Sequence, residues 1–155
     1  RTLRRWPWLL VVAAVVALVA IGLLGPKYTQ LQLAADAEGF RRIVGDERGR
    51  YIGAGAADVW FAAAYGSLAL AIARTPSASR VGAWLVLTGA AFDEAENSLL
   101  IANVLSGLRL SDDRVELMRT AGAAKYLAIA AGVLLYVSSL VIERFGRRSE
   151  TGSDY

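Results

Sequence analysis

Residues 92–100 read FDEAENSLL. Asp93, Glu94, Glu96 and Asn97 stand inside a block, Val81 to Leu108, that carries no other charge and otherwise has the apolar content of a membrane span. Where these four side chains go decides the fold. A charge at the centre of a lone inserted helix costs roughly 2.5–3.5 kcal/mol. Three ionised acids therefore cost about 7–10 kcal/mol, against roughly 3–6 kcal/mol from the ten Leu, Ile, Val and Phe residues between 81 and 106. Such a helix cannot stand alone in lipid. Its acids must face protein or a water-filled cavity, be paired, or be protonated.

Three further apolar blocks supply the protein it needs. Trp8 to Gly25 passes eighteen residues without a charge, enough at about 1.5 Å per residue to cross a hydrocarbon core of roughly 30 Å. Tyr51 to Ala73 carries one charge, Asp58, and Thr120 to Ile142 carries one, Lys125. The chain has 155 residues, 55% of them hydrophobic and 20% charged, and a mean hydropathy of +0.42, too apolar for an ordinary water-soluble domain. The expected fold class is all-α: a four-transmembrane-helix bundle with spans at about 8–25, 56–73, 81–106 and 115–143. A single domain over 1–148 and a disordered tail at 149–155 complete it. The first block ends in GLLGPK without a small-x-small cleavage site, so it is expected to be retained as a span.

The net charge of +3 does not point to nucleic acid, because the arginines sit at the span ends: Arg1, Arg4, Arg5, then Arg74 and Arg80, then Arg144, Arg147 and Arg148. That distribution predicts a multi-pass protein of the plasma (inner) membrane with both termini cytoplasmic. Trp6 and Trp8 would anchor the first span at the headgroups, and TPSAS (75–79) would turn the chain on the cytoplasmic side. On the opposite, extracytoplasmic side, TQLQLAADAEGFRRIVGDERG (29–49) places Leu33, Ala37, Phe40 and Val44 at helical spacing. This predicts an amphipathic segment ending at Gly45, either a lid on the bundle or a solvated connector. Gly49, Gly53 and Gly55 then predict a pliable stretch before the second span starts near Ala56. Ser111-Asp-Asp-Arg114 predicts a capped start to the last helix. Pairs of small residues four apart, Ala62 and Gly66, Ala69 and Ala73, Ala128 and Gly132, predict close helix packing.

The chain has no cysteine and no histidine, which removes disulfides, thiolates and the commonest general base. Carboxylates, lysine and tyrosine remain for proton transfer. At 100° per residue Asp93, Glu96 and Asn97 fall within an arc of about 100°, continued by Leu100, with Glu94 farther round. Lys125, the only cation inside a span, reaches a similar depth by helical rise, as does Tyr65; Asp58 shares a face with Phe61, Ala62 and Tyr65 nearer the outer mouth. The expectation is one outward-opening cavity. Asp93, Glu96 and Lys125 are its candidate catalytic groups, and Asp58, Phe61, Tyr65 and Asn97 are its candidate ligand-binding groups. Polar residues inside spans also serve as assembly glue, and Asp58 has an alternative role as a cap of the second span. Oxygen ligands of this kind suit hard cations, but no spacing motif assembles a metal site, and none is assigned. No cofactor is identified.

The patterns D-x-x-F-x-x-x-Y-G (58–66) and D-x-x-E-N (93–97), with Lys125 in the last span, resemble those of small, uncharacterised four-helix bacterial membrane proteins. The resemblance implies a bacterial membrane setting and a shared buried site; it supplies no reaction, so whether the chain is an enzyme stays open. The function expected is binding or processing of an amphipathic lipid- or isoprenoid-like ligand. Two alternatives use the same residues: an accessory subunit of a larger membrane complex, and a proton- or cation-coupled permeation unit. The expected partners are the bilayer, a lipid-like ligand, and a second copy or partner membrane subunit.

Overall fold

The computed structural model describes residues 28–74 and 80–150, together with Val19 and Leu23; of Tyr28, Leu140 and residues 143–150 it describes the backbone alone. The first expected span, apart from Val19 and Leu23, with its anchors Trp6 and Trp8, the 75–79 turn, and the tail beyond Glu150 lie outside the described residues. Within them the chain is helical and contains no strand. Five α-helices follow in order: α1 (Tyr28–Gln32), α2 (Ala37–Val44), α3 (Arg48–Ala73), α4 (Arg80–Ser106) and α5 (Asp112–Glu150), with a 3-10 turn at Gly107–Arg109 before α5.

The segment expected to be one amphipathic helix is two. Asp36 breaks it: its backbone is extended, and its side chain accepts from the Gly39 N–H at 2.6 Å to start α2 anew. Gly45, at φ +47°, ends α2 where expected, its N–H returning to the Arg41 carbonyl at 2.9 Å. Leu31, Ala34, Ala37, Phe40 and Val44 are all buried, whereas Leu33, assigned to that stripe from the sequence, is exposed because it falls in the break. The buried set packs on Tyr51 and Ala54 of α3, Leu100 and Val104 of α4, and Leu110, Val115 and Met118 around the start of α5. Burying Leu31 and Phe40 alone is worth roughly 1.5–3 kcal/mol each. Two hydrogen bonds fasten the segment: the Ala37 N–H donates to Asp112 Oδ1 at 2.8 Å, and Arg41 Nη1 donates to the Leu110 carbonyl at 3.2 Å. The segment is thus a packed cap across one end of the helices and not a solvated connector.

Helix α3 begins at Arg48, eight residues before the expected start, and takes Gly49, Gly53 and Gly55 into its first turns. Each helical glycine costs about 1 kcal/mol relative to alanine. Packing offsets that cost: Tyr51 and Ala54 enter the core, and the bare Gly55 lets Ile101 come within 3.0 Å of where a Cβ would sit. Helix α4 ends at Ser106 as expected, with Gly107 in the left-handed region at φ +56°. Helix α5 starts at Asp112, with Asp112 and Asp113 in its first turn, and runs to Glu150, so Ser149 and Glu150 are helical and not part of a tail.

Helix α4 is the central member, packed antiparallel against both α3 and α5. On the α3 side, Gly66 meets the Ala90 methyl, and Ala62, Ala69 and Ala73 are buried. On the α5 side, a Cβ on Gly82 would come 2.6 Å from the Gly132 carbonyl, and one on Gly89 would strike Ile129. Large apolar side chains are buried under the cap, where Leu31, Phe40, Tyr51, Leu100 and Met118 meet; elsewhere in the described helices the pattern is inverted relative to a water-soluble bundle, with small and polar residues between α3, α4 and α5 while Trp60, Trp84, Leu105, Leu127, Leu134 and Ile142 point outward. Two described helices, α3 and the Asp112–Ser139 part of α5, are long and apolar enough to cross a membrane, and only 33% and 17% of their apolar stretches are buried. Helix α4 falls short of that criterion because Asp93, Glu94 and Glu96 lie in its middle.

Candidate functional site

The inward face of α4 carries Asp93, Glu96, Asn97, Leu100 and Asn103, each at most 2% exposed. Helical periodicity is sufficient to align them. What surrounds them comes from α3 and α5. Tyr65 in α3 donates its hydroxyl proton to Asp93 Oδ2 at 2.8 Å. From α5, Lys125 Nζ donates to Asp93 Oδ1 at 3.0 Å and lies 2.5 Å from Glu96 Oε2. Asn97 Nδ2 adds a donor to Asp93 Oδ1 at 3.3 Å. Lys125 is 5% exposed, and its ammonium also sits 4.8 Å from the centre of the Tyr126 ring.

The two central carboxylates are not equivalent. Asp93 is a hub with donors on both oxygens, held by Tyr65, Lys125 and Asn97. Glu96 has the charge of Lys125 beside Oε2, and that oxygen makes no hydrogen bond of good geometry. An ionised carboxylate offers about four acceptor positions, so the unused capacity of the cluster is concentrated on Glu96.

Glu96, although 1% exposed, also borders a cavity of about 620 Å³ that opens between the cap and α5. Gln32 and Leu33 of the cap and Thr120, Ala123 and Tyr126 of α5 form its walls. Glu116 and Arg119, paired at 3.0 Å, stand at its side.

The sequence-predicted residues therefore divide. Asp93, Glu96, Asn97, Lys125 and Tyr65 converge into one bonded cluster. Phe61 meets that cluster through the Tyr65 ring, 5.2 Å away between centroids. Asp58 is buried within α3, so it is not a cap of that helix, whose first residue is Arg48. The contacts of Gly55 with Leu100 and of Tyr65 with Asp93 set the α3–α4 register, and that register puts Asp58 level with Asn97. Asp58 does not line the large cavity, so the expected acidic rim is replaced by the Glu116–Arg119 pair and the cap. Tyr65 opens instead onto a separate apolar groove of about 160 Å³ with Leu68, Ile72, Val133 and Tyr136. Glu94 is half-buried and off the cluster face. Among the described residues no group of three or more carboxylates is placed to hold a metal ion.

Sequence reasoning passed over Gly122, Asn103 and the cavity wall. Asn103 continues the 96–100 spacing and carried a visible signal as a polar residue in an apolar block. Its Nδ2 donates to the Arg114 carbonyl at 3.4 Å. Gly122 lies one turn before Lys125 on α5 and was indistinguishable in the sequence from a packing glycine. No family model, curated protein or solved structure matches this chain.

Proposed function

We propose that the protein is a multi-pass membrane protein of four spans with both termini cytoplasmic, whose cavity at the extracytoplasmic end binds an amphipathic lipid- or isoprenoid-like ligand. The inverted distribution of apolar and polar side chains supports the membrane setting, since large outward aromatics and leucines have no other solvent to prefer. The cationic residues near 1–5, 74–80 and 144–148 support the orientation, which leaves the cap on the outer side. The observation that carries the ligand is the cavity of about 620 Å³, apolar along Leu33 and Ala123 yet bordered by a buried carboxylate. Binding is the function assigned. With Asp93 already holding three donors, an Asp93–Glu96 acid–base pair has less support than a single ligand-facing acid at Glu96.

The test is mass spectrometry of the lipids that travel with the purified protein, wild type against Glu96→Gln and Asp93→Asn. The expected result is an amphiphile enriched on the wild type and depleted by Glu96→Gln. Identical lipid profiles in all three folded proteins would overturn the proposal.

A further inference from the structure

Three glycines let α4 and α5 approach, and they do not do the same thing. Added Cβ atoms at Gly82 and Gly89 would meet the Gly132 carbonyl and the Ile129 side chain, which are packing contacts. An added Cβ at Gly122 would meet a functional group: it would lie 2.8 Å from Glu96 Oε1, 3.1 Å from Glu96 Cδ and 3.4 Å from Oε2. The Glu96 side chain cannot swing aside freely, because the residue is 1% exposed and its other oxygen is held at 2.5 Å by Lys125. Gly122 also lines the large cavity beside Glu96.

We infer that Gly122 is a window: the missing side chain uncovers Glu96 Oε1 to the cavity and sets which ligands it takes, namely amphiphiles whose head donates a hydrogen bond. This rests on the ligand-binding role proposed above and adds the chemistry of the head. An ionised carboxylate accepts and never donates, so a head made only of ether, ester or carbonyl oxygens meets it with nothing to offer. A hydroxyl or an ammonium completes it. The second oxygen already faces the lysine, so the ligand reaches Glu96 through Oε1. The wall supplies neutral side chains, Thr29, Gln32, Thr120 and Tyr126, and the charged pair Glu116–Arg119 at its side is solvent-exposed, where water competes for its remaining donors and acceptors. Discrimination therefore falls on the carboxylate, and a single β-carbon at position 122 is enough to remove it. Gly122 is on this account a specificity-determining residue that contacts the ligand's head only by leaving room for it.

The experiment uses the whole chain in lipid nanodiscs and three probes of one chain length: dodecanol, dodecylammonium and methyl dodecyl ether, with bound probe counted by native mass spectrometry. Wild type is expected to hold the two donor heads about tenfold more tightly than the ether, the equivalent of ~1.4 kcal/mol. In Gly122→Ala the preference should fall to near parity while ether binding is kept, because the body of the cavity is unchanged. Glu96→Gln, which keeps the shape and removes the charge, should lower the same preference and covers the case in which Gly122→Ala does not fold. A wild-type preference surviving in either folded variant overturns the inference. Equal binding of all three probes by wild type overturns it too, while leaving the cavity's role intact; binding of none removes both. Whichever donor head binds more tightly identifies a charged or a neutral head, and either supports the window.

Discussion

Replacing Lys125 by methionine isolates the charge that holds the cluster together. Methionine keeps most of the stem and volume, and swaps that conserve volume cost less than about 1.5 kcal/mol in packing. What disappears is the ammonium within 3.0 Å of Asp93 Oδ1 and 2.5 Å of Glu96 Oε2, at a position 5% exposed. Removing one partner of a buried ion pair costs about 3–5 kcal/mol, because the surviving charge keeps its desolvation penalty and loses its compensation. Here two carboxylates survive, with Tyr65 and Asn97 still donating to Asp93 but nothing replacing the lysine at Glu96. The expected loss is therefore about 3–5 kcal/mol and falls mainly on Glu96. Reversible unfolding by sodium dodecyl sulfate in mixed micelles, followed by circular dichroism, measures it. A second substitution checks the attribution. Adding Glu96→Gln to Lys125→Met should return part of the loss, with a coupling of about 0.5–3 kcal/mol. A loss below about 1 kcal/mol in Lys125→Met, or strict additivity in the double variant, would refute the view that the lysine compensates the acids.

Three further outcomes follow from single contacts. Tyr65→Phe keeps the ring beside Phe61 and deletes the donor to Asp93 Oδ2, so it should lose about 1.5–3 kcal/mol in the same unfolding assay; a loss under about 0.5 kcal/mol would show that bond to be idle. Gly82→Ala drives a methyl against the Gly132 carbonyl and should cost about 1–3 kcal/mol, whereas Gly49→Ala, with nothing within 4 Å of its Cβ, should gain about 0.5–1 kcal/mol from helix propensity. Asp112→Ala releases the Ala37 N–H, and hydrogen exchange should quicken across α2 while the middle of α4 stays protected; unchanged exchange in α2 would mean apolar packing alone holds the cap.

What was legible in the sequence follows the range of the physics involved. The face shared by Asp93, Glu96 and Asn97 depends on the rotation of one helix, so counting residues recovers it. The Lys125 partnership was recoverable because a buried cation has few ways to be satisfied and α5 carries only one at that depth. The start of α3 was misjudged because intrinsic glycine cost is local, while the compensating contacts of Tyr51, Ala54 and Gly55 reach into α4 and the cap. The break before α2 had a local signal in Asp36, an N-cap residue just before a periodic stretch, and the apparent continuity through Leu33 concealed it. The division of labour between the acids was not legible. Whether Asp93 or Glu96 keeps free capacity depends on where the Tyr65 hydroxyl and the Gly122 backbone arrive, and both are set by registers between helices that no periodicity encodes.

The same geometry bears on how α4 tolerates its acids in the proposed membrane setting. Alone, this helix sets three charges worth about 7–10 kcal/mol of insertion cost against roughly 3–6 kcal/mol of apolar gain. Pairing with α5 changes the balance, because Lys125 arrives with its own insertion penalty and the two helices then hide one another's charges: Asp93, Glu96 and Lys125 are all at most 5% exposed. The α4–α5 hairpin is thus a better candidate for the inserting unit than α4 alone. Helix α3 completes the other side through Tyr65 and the Ala62, Gly66 and Ala69 face. A fold maintained only by this mutual concealment would use the glycines of its helix contacts to bring backbone and aliphatic surface together. Gly82 and Gly89 do so, against the Gly132 carbonyl and Ile129. At Gly122 the gap brings a carboxylate oxygen to the edge of a cavity instead, and concealment gains nothing there. That exception accords with the ligand role proposed for the cavity.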